Sequence, residues 1–382
     1  MLKGLDNANW DRLSGAPAGE HTDVPRLIRS LTATDPQTRS AALDELEDII
    51  AHQGTVCEIT SYVIPFLVEL LSSDMVLDRG DILLVFYTIC WVYREYNPDH
   101  RDEPYRTYVQ KSLSAIRDGT ETYVTLLNSP DYQVRAITAF ALPLLTKRDP
   151  RSMAAALSRL RVETASEVTA SLAWSLGDYA DDKSPLLVQD RDQTWTSLRN
   201  LVDRGQVPEV RFSAARSLIE VEGSDVGSGV VDILLSAIGQ PDLYSNLPGG
   251  AVPTWAATEA LCRLSGDRRL KAFQTALDVV PTSGDAHLIA MAFPDCVLLG
   301  ATSRVHHYVS DYSDPELTRY GGEADEPLSI HSLSSEHREA VRIVLEADKV
   351  WEQPSNLLAI YGLPTLRDEA HRLLTLVSGS GL

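Results

Sequence analysis

Val134-Arg135-Ala136-Ile137-Thr138-Ala139-Phe140-Ala141-Leu142 is the stretch that decides how the chain reads. An apolar or β-branched residue precedes an Arg, small residues follow, and a Leu stands seven positions after the Arg. The pattern returns at Thr38–Leu46 around Arg39, at Val210–Leu218 around Arg211 and at Leu366–Leu374 around Arg367. A further copy, Val168–Leu176, carries Thr169 where the others carry Arg. Self-similarity of this kind is the mark of a repeat architecture.

Each copy has helical spacing. Val210, Ala214, Leu218 and Val221 step by four, four and three, which puts them on one helix face. Val168, Leu172, Leu176 and Tyr179 do the same. A second short apolar helix is predicted upstream of most copies, at 24–31, 122–127, 153–160 and 195–202. Between the two helices stands a turn signal: Asp35-Pro36, Ser129-Pro130-Asp131 or Val207-Pro208. Proline there fixes φ, lacks a donor and suits the first turn of the following helix. No segment alternates with the period of two that a hairpin needs. The unit is helix, turn, helix, and the expected fold class is all-α.

One such pair cannot bury both of its apolar faces. Stacking pairs on one another closes a continuous core, which is the logic of an α-solenoid. The carriers Asp35…Arg39, Asp131…Arg135, Arg211 and Arg367, each after its turn, give a chain that resembles the HEAT-repeat family. The resemblance spans roughly residues 22–376 and is weaker at 75–120 and 225–335. It implies a right-handed solenoid of antiparallel helix pairs. It also implies that Arg39, Arg135, Arg211 and Arg367 are structural, laddered to Asp between neighbouring repeats. His52–Thr60 followed by Ile64-Pro65-Phe66-Leu67 resembles a joining segment in uncharacterised bacterial HEAT-repeat proteins, and no known activity comes with it. A turn is expected at Gly54, then a helix holding Pro65.

The expected organisation is one elongated domain over 1–382 with insertions near 94–107 and 303–335. Asp81–Tyr93 is apolar almost all round and reads as a buried central helix. The second insertion is too long for a routine helical connection. It holds His306, His307, Tyr308, Tyr312 and His331 beside several acids.

Composition narrows the partners. Thirty-four Lys and Arg face 54 Asp and Glu, a formal net charge of −20. Such a chain repels a polyanion, because duplex binding rests on cations that release counterions from phosphates. It attracts basic proteins or cationic small molecules. Hydrophobic residues make up 44% of the chain, enough for a sizeable core. No run is apolar enough for a membrane span, and no secretory signal opens the chain. The four cysteines lack CxxC spacing, and Cys90 and Cys262 read as buried thiols of a reducing cytoplasm.

No GxSxG, Walker or GxGxxG motif is present. His306, His307 and His331 match no helical metal spacing, so neither metal nor cofactor is expected. The first expectation is therefore a non-catalytic scaffold binding a basic protein through an acidic concave face, in the manner of an inhibitor or immunity protein. The candidate partner-binding residues are Asp178, Tyr179, Asp181 and Asp182 at an acidic helix end, with His306, His307, Tyr308 and Tyr312 in the long loop. The alternative is an enzyme or small-molecule binder on the same scaffold. HEAT-like folds include DNA glycosylases for alkylated bases and bilin lyases. In the glycosylase version Trp174, Trp255 and Trp351 would supply aromatics and Asp178 or Asp182 the carboxylate.

Overall fold

The fold is taken from a computed structural model of the chain. The structure describes residues 2–15, 23–52, 55–94, 103–179, 187–204, 207–279, 281–282 and scattered positions between 342 and 372. The chain forms two compact units, Met1–Thr194 and Trp195–Leu382. All regular structure among the described residues is helical.

The first unit holds α1 (Val24–Ser30), α2 (Pro36–Ala51), α3 (Thr60–Leu71), α4 (Arg79–Val92), α5 (Tyr105–Asp118), α6 (Thr120–Leu126), α7 (Tyr132–Leu145), α8 (Pro150–Leu160) and α9 (Ser166–Tyr179). They pack as successive pairs: α1 on α2, α3 on α4, α6 on α7 and α8 on α9, with α5 leading into α6. The second helices of the pairs form a row in which α2 meets α4, α4 meets α7 and α7 meets α9. The first helices form another, with α3 against α5 and α6 against α8. This stacking is consistent with a repeat solenoid.

Sequence explains where these helices begin. Asp35 precedes Pro36, and its carboxylate accepts from the Thr38 backbone N–H at 2.8 Å. Asp131 does the same for Gln133 at 2.9 Å, and Asp149, ahead of Pro150, for Arg151 at 2.8 Å. Each Asp therefore satisfies an orphan donor of the first turn and sits at the positive end of the helix. The Asp of the recurring turn is a cap.

The core follows the helical period. Leu27, Leu46, Ile50, Ile64, Leu67, Phe86, Ile89, Leu142, Leu172 and Leu176 are fully buried. Close approach of α4 and α7 needs a glycine: a Cβ on Gly80 would lie 2.7 Å from Ile137 Cδ1. Tyr123 is buried edge-on to Phe86, and its hydroxyl donates to the Ile116 carbonyl at 2.8 Å. Pro65 lies inside α3. Ahead of α1, Trp10 donates to the Leu5 carbonyl and lies against Phe66 of α3.

Two expectations change here. α4 is not buried all round, since Leu84 and Trp91 are exposed. They fall on the face of Asp81, three and ten residues on, so apolar composition alone misjudged that face. Residues 105–107, assigned to an insertion, open α5; residues 95–102 and all of 303–335 lie outside the described residues.

The second unit contains α11 (Pro208–Glu222), α12 (Ser228–Gly239), α13 (Pro253–Leu261) and α14 (Gly266–Val279). A helix α10 (Leu187–Arg204) precedes them. α12 packs on α11, α13 and α14, and α11 on α13. Phe212 and Tyr244 meet at a tilt, with centroids 5.5 Å apart, in its core. Residues 223–227 of the glycine-rich stretch connect α11 to α12, while Gly229 already lies in α12. Cys90 is a buried free thiol, but Cys262 is half-buried and disulfide-bonded, which corrects its reading as a buried thiol.

Candidate functional site

The first unit is held in register by arginines that start its second helices. Arg39, near the start of α2, donates from Nη1 to the Ala33 and Thr34 carbonyls, both at 2.9 Å. Its Nε and Nη2 reach the carboxylate of Asp78, the residue before α4, at 2.5 and 3.2 Å. Arg135 repeats the geometry in α7. Its Nη1 donates to the Ser129 and Pro130 carbonyls at 2.8 and 3.2 Å. Its Nε and Nη2 clamp Glu163, in the turn before α9, at 2.9 and 3.1 Å. In both cases the planar fork ties its own turn to the next one.

Arg79 supplies a rung between these two. Its Nη1 lies 3.0 Å from Asp74 and its Nη2 3.4 Å from Ser129 Oγ. The rung is looser: Nε is buried without a hydrogen-bond partner among the described residues. Sequence reading missed Arg79 because Asp78, not an apolar residue, precedes it. The signal was present, since Gly80 follows and Phe86 stands seven positions on.

Glu163 was also missed. Its carboxylate is fully buried and takes hydrogen bonds from Arg135, Arg159 and the N–H groups of Thr164 and Ala165. Burial alone would push its carboxyl up; the donors outweigh burial and hold it down at about 2.

Next to this ladder lies an acidic face. α2 exposes Asp44 and Asp48 with half-buried Glu47 beside them, and α4 exposes Asp81. Burial, then repulsion from Asp44 and Asp48, raises the Glu47 carboxyl above its ordinary value. Burial, then Asp78 and Asp44, raises Asp81 in the same way. The repulsion from Asp44 therefore reaches across from α2 to α4. On α4 the acid end gives way to exposed Leu84 and Trp91, the latter covered by the Arg94 guanidinium at 4.1 Å. Behind them Tyr87, Phe140 and Trp174 form an aromatic chain across α4, α7 and α9, with centroids 4.8 and 6.3 Å apart.

The residues singled out from sequence scatter. Asp178 is half-buried, and its backbone carbonyl accepts from Arg148 Nε at 2.7 Å. Tyr179 is buried, 2.6 Å from Ser152 Oγ, and desolvation raises its pKa. That position removes Tyr179 from any surface offered to a partner. Asp181, Asp182, His306, His307, Tyr308 and Tyr312 lie outside the described residues. Arg211 is exposed, and Arg367 pairs at the surface with Asp348. Neither has the buried, two-turn geometry of Arg39 and Arg135. Of the glycosylase-type aromatics, Trp174 is buried, while Trp255 and Trp351 are half-buried in the other unit.

No family model matches the chain, and no curated protein matches it. Among solved structures it is similar to two engineered proteins from the Northeast Structural Genomics Consortium. One is 20% identical over 68% of this chain and 96% of its own, with a TM-score of 0.37. The other is 17% identical over 94% and 99%, with a TM-score of 0.33. At those scores neither likeness bears on fold or function.

Proposed function

We propose that the chain is a non-catalytic HEAT-like scaffold that binds a basic protein, in the manner of an inhibitor or immunity protein. The bound surface is the face of α2 and α4, the concave side if the stack curves as a HEAT solenoid does. One observation carries the reading: Glu47 is repelled by Asp44 and Asp48, Asp44 in turn reaches Asp81, and exposed Leu84 and Trp91 continue the Asp81 face along α4. Burial and then the neighbouring carboxylates raise Glu47 and Asp81, and an external cation would relieve that repulsion. Apolar side chains next to them supply the desolvated centre that a protein interface needs. The surplus of acid over the whole chain supports the choice of a basic partner and steers its approach.

The test is native mass spectrometry of the protein isolated from its own host. A basic protein should co-purify with the wild-type chain and be lost from Asp44→Lys/Asp81→Lys. Recovery of the same complex with the double variant, or no salt dependence of its affinity, would remove this reading.

A further inference from the structure

A second surface lies on the edge where the two helices of each pair are joined. The ladder fixes which turns are neighbours there. Arg39 ties the α1–α2 turn to the α3–α4 turn, and Arg79 ties that turn to the α6–α7 turn. Arg135 then reaches the α8–α9 turn through Glu163. Four turns thus stand in one row.

Val76, Leu127 and Leu31 of these turns are buried, but four apolar residues along the row point outward. Met75 is 78% exposed, Leu77 61%, Val162 65% and Tyr132 45%. Met75, Leu77 and Val162 are the most exposed large apolar side chains among the described residues. None of the four is needed to fill the core. Single exposed apolar residues are ordinary, whereas several along one edge are the kind of surface that protein partners use.

The charges of the row are sorted as well. The three rung arginines are folded inward, while Asp74, though paired with Arg79, keeps 93% of its side chain exposed, and the caps Asp35 and Asp131 are exposed too. The exposed cation of the row is Arg161. A second copy of a chain at −20 is a poor occupant for an edge of the same sign. We infer that this edge docks a cationic amphipathic helix of another protein. Neighbouring helices lie about 8–10 Å apart, and seven residues of a helix rise about 10 Å. An apolar residue at every seventh position of that helix would meet one turn after another, and Lys or Arg between them would meet Asp35, Asp74 and Asp131.

The probe is a synthetic helical peptide with Leu at heptad spacing and Lys on its flanks, and a control in which Glu replaces every Lys. Titration calorimetry should show the Lys peptide binding and the Glu peptide not binding. Met75→Ser/Leu77→Ser/Val162→Ser should weaken binding by about 10- to 100-fold with an unchanged melting temperature, because these side chains are exposed. Hydrogen exchange should show protection at 72–78 and 161–165. Equal affinity for the triple variant would overturn the inference. So would protection confined to α2 and α4 and lost in Asp44→Lys/Asp81→Lys, an outcome that leaves the proposed function standing. A wild-type dimer that the triple variant dissociates would overturn it in favour of a second copy.

Discussion

Arg135 in α7 and Arg211 in α11 occupy the same place in the same sequence pattern, yet one is buried and the other exposed. The difference lies in the turn before the next helix of the row. Ahead of α4 that turn supplies Asp78, and ahead of α9 it supplies Glu163. Ahead of α13 the last six residues, Leu247-Pro248-Gly249-Gly250-Ala251-Val252, hold no carboxylate, and the acid of that connection, Asp242, stands eleven residues before the helix. An arginine at the start of a helix thus becomes a rung only where the following turn offers an acid. Without one, burying the guanidinium would cost more than solvating it. The second unit binds its helices differently: Arg263 reaches Glu220 at 2.7 Å, and Arg268 reaches the Ser224 carbonyl at 2.8 Å.

The largest effect should come from breaking the tight rung. Arg135→Ala leaves Glu163 buried and the Ser129 and Pro130 carbonyls unpaired. It should cost about 3–5 kcal/mol in urea unfolding, whereas Arg211→Ala should stay within about 0.5 kcal/mol. Similar losses for the two would erase the contrast between the units.

Acid should reveal the same rung. The folded Glu163 carboxyl titrates at about 2, below its ordinary value of 4.5. Its contribution is therefore complete above pH 4.5 and is lost as pH falls toward 2. It amounts to about 3 kcal/mol. Glu163→Gln should flatten that part of the stability profile. Glu47 and Asp81 act in the opposite sense: their raised values make ionisation costly, and the cost is relieved as pH falls through them.

Adding the missing acid sharpens the comparison. Val252 is the cap of α13, the place that Asp78 holds before α4. Val252→Asp should stabilise the second unit by about 0.5–1 kcal/mol through capping alone. Any excess that disappears with Arg211→Ala measures a new rung. The smallest effect belongs to the acidic face. Glu47→Gln removes like-charge repulsion from Asp44 and Asp48 and should add about 0.3–0.5 kcal/mol at neutral pH.

The helical fold was legible because its signals are local. Asp-Pro turns, Arg in the first turn and a Leu seven residues on are set by capping and the 3.6-residue period, so the helix pairs of the first unit lie close to where sequence puts them. Arg39 and Arg135 stood out for the same reason. Glu163 did not, because its role depends on a turn 28 residues away from Arg135 that no local pattern names. Tyr179 was misread from its neighbours: Asp178 beside it suggested an exposed helix end, while its helix period already placed it with Leu172 and Leu176 in the core. The exposure of Leu84 and Trp91 was hidden by composition, since apolar residues on all sides of α4 do not say which side lacks a neighbour.

A double-mutant cycle on Arg135→Met and Glu163→Gln tests most directly the claim that paired rungs hold the first unit together. Unfolding free energies of the wild type, both single variants and the double variant give the coupling. A coupling above about 2 kcal/mol, with the double variant more stable than either single one, is the outcome expected of a buried pair. Additive losses to within about 0.5 kcal/mol would show that the two side chains stabilise the stack independently, and the rung would be a contact without consequence.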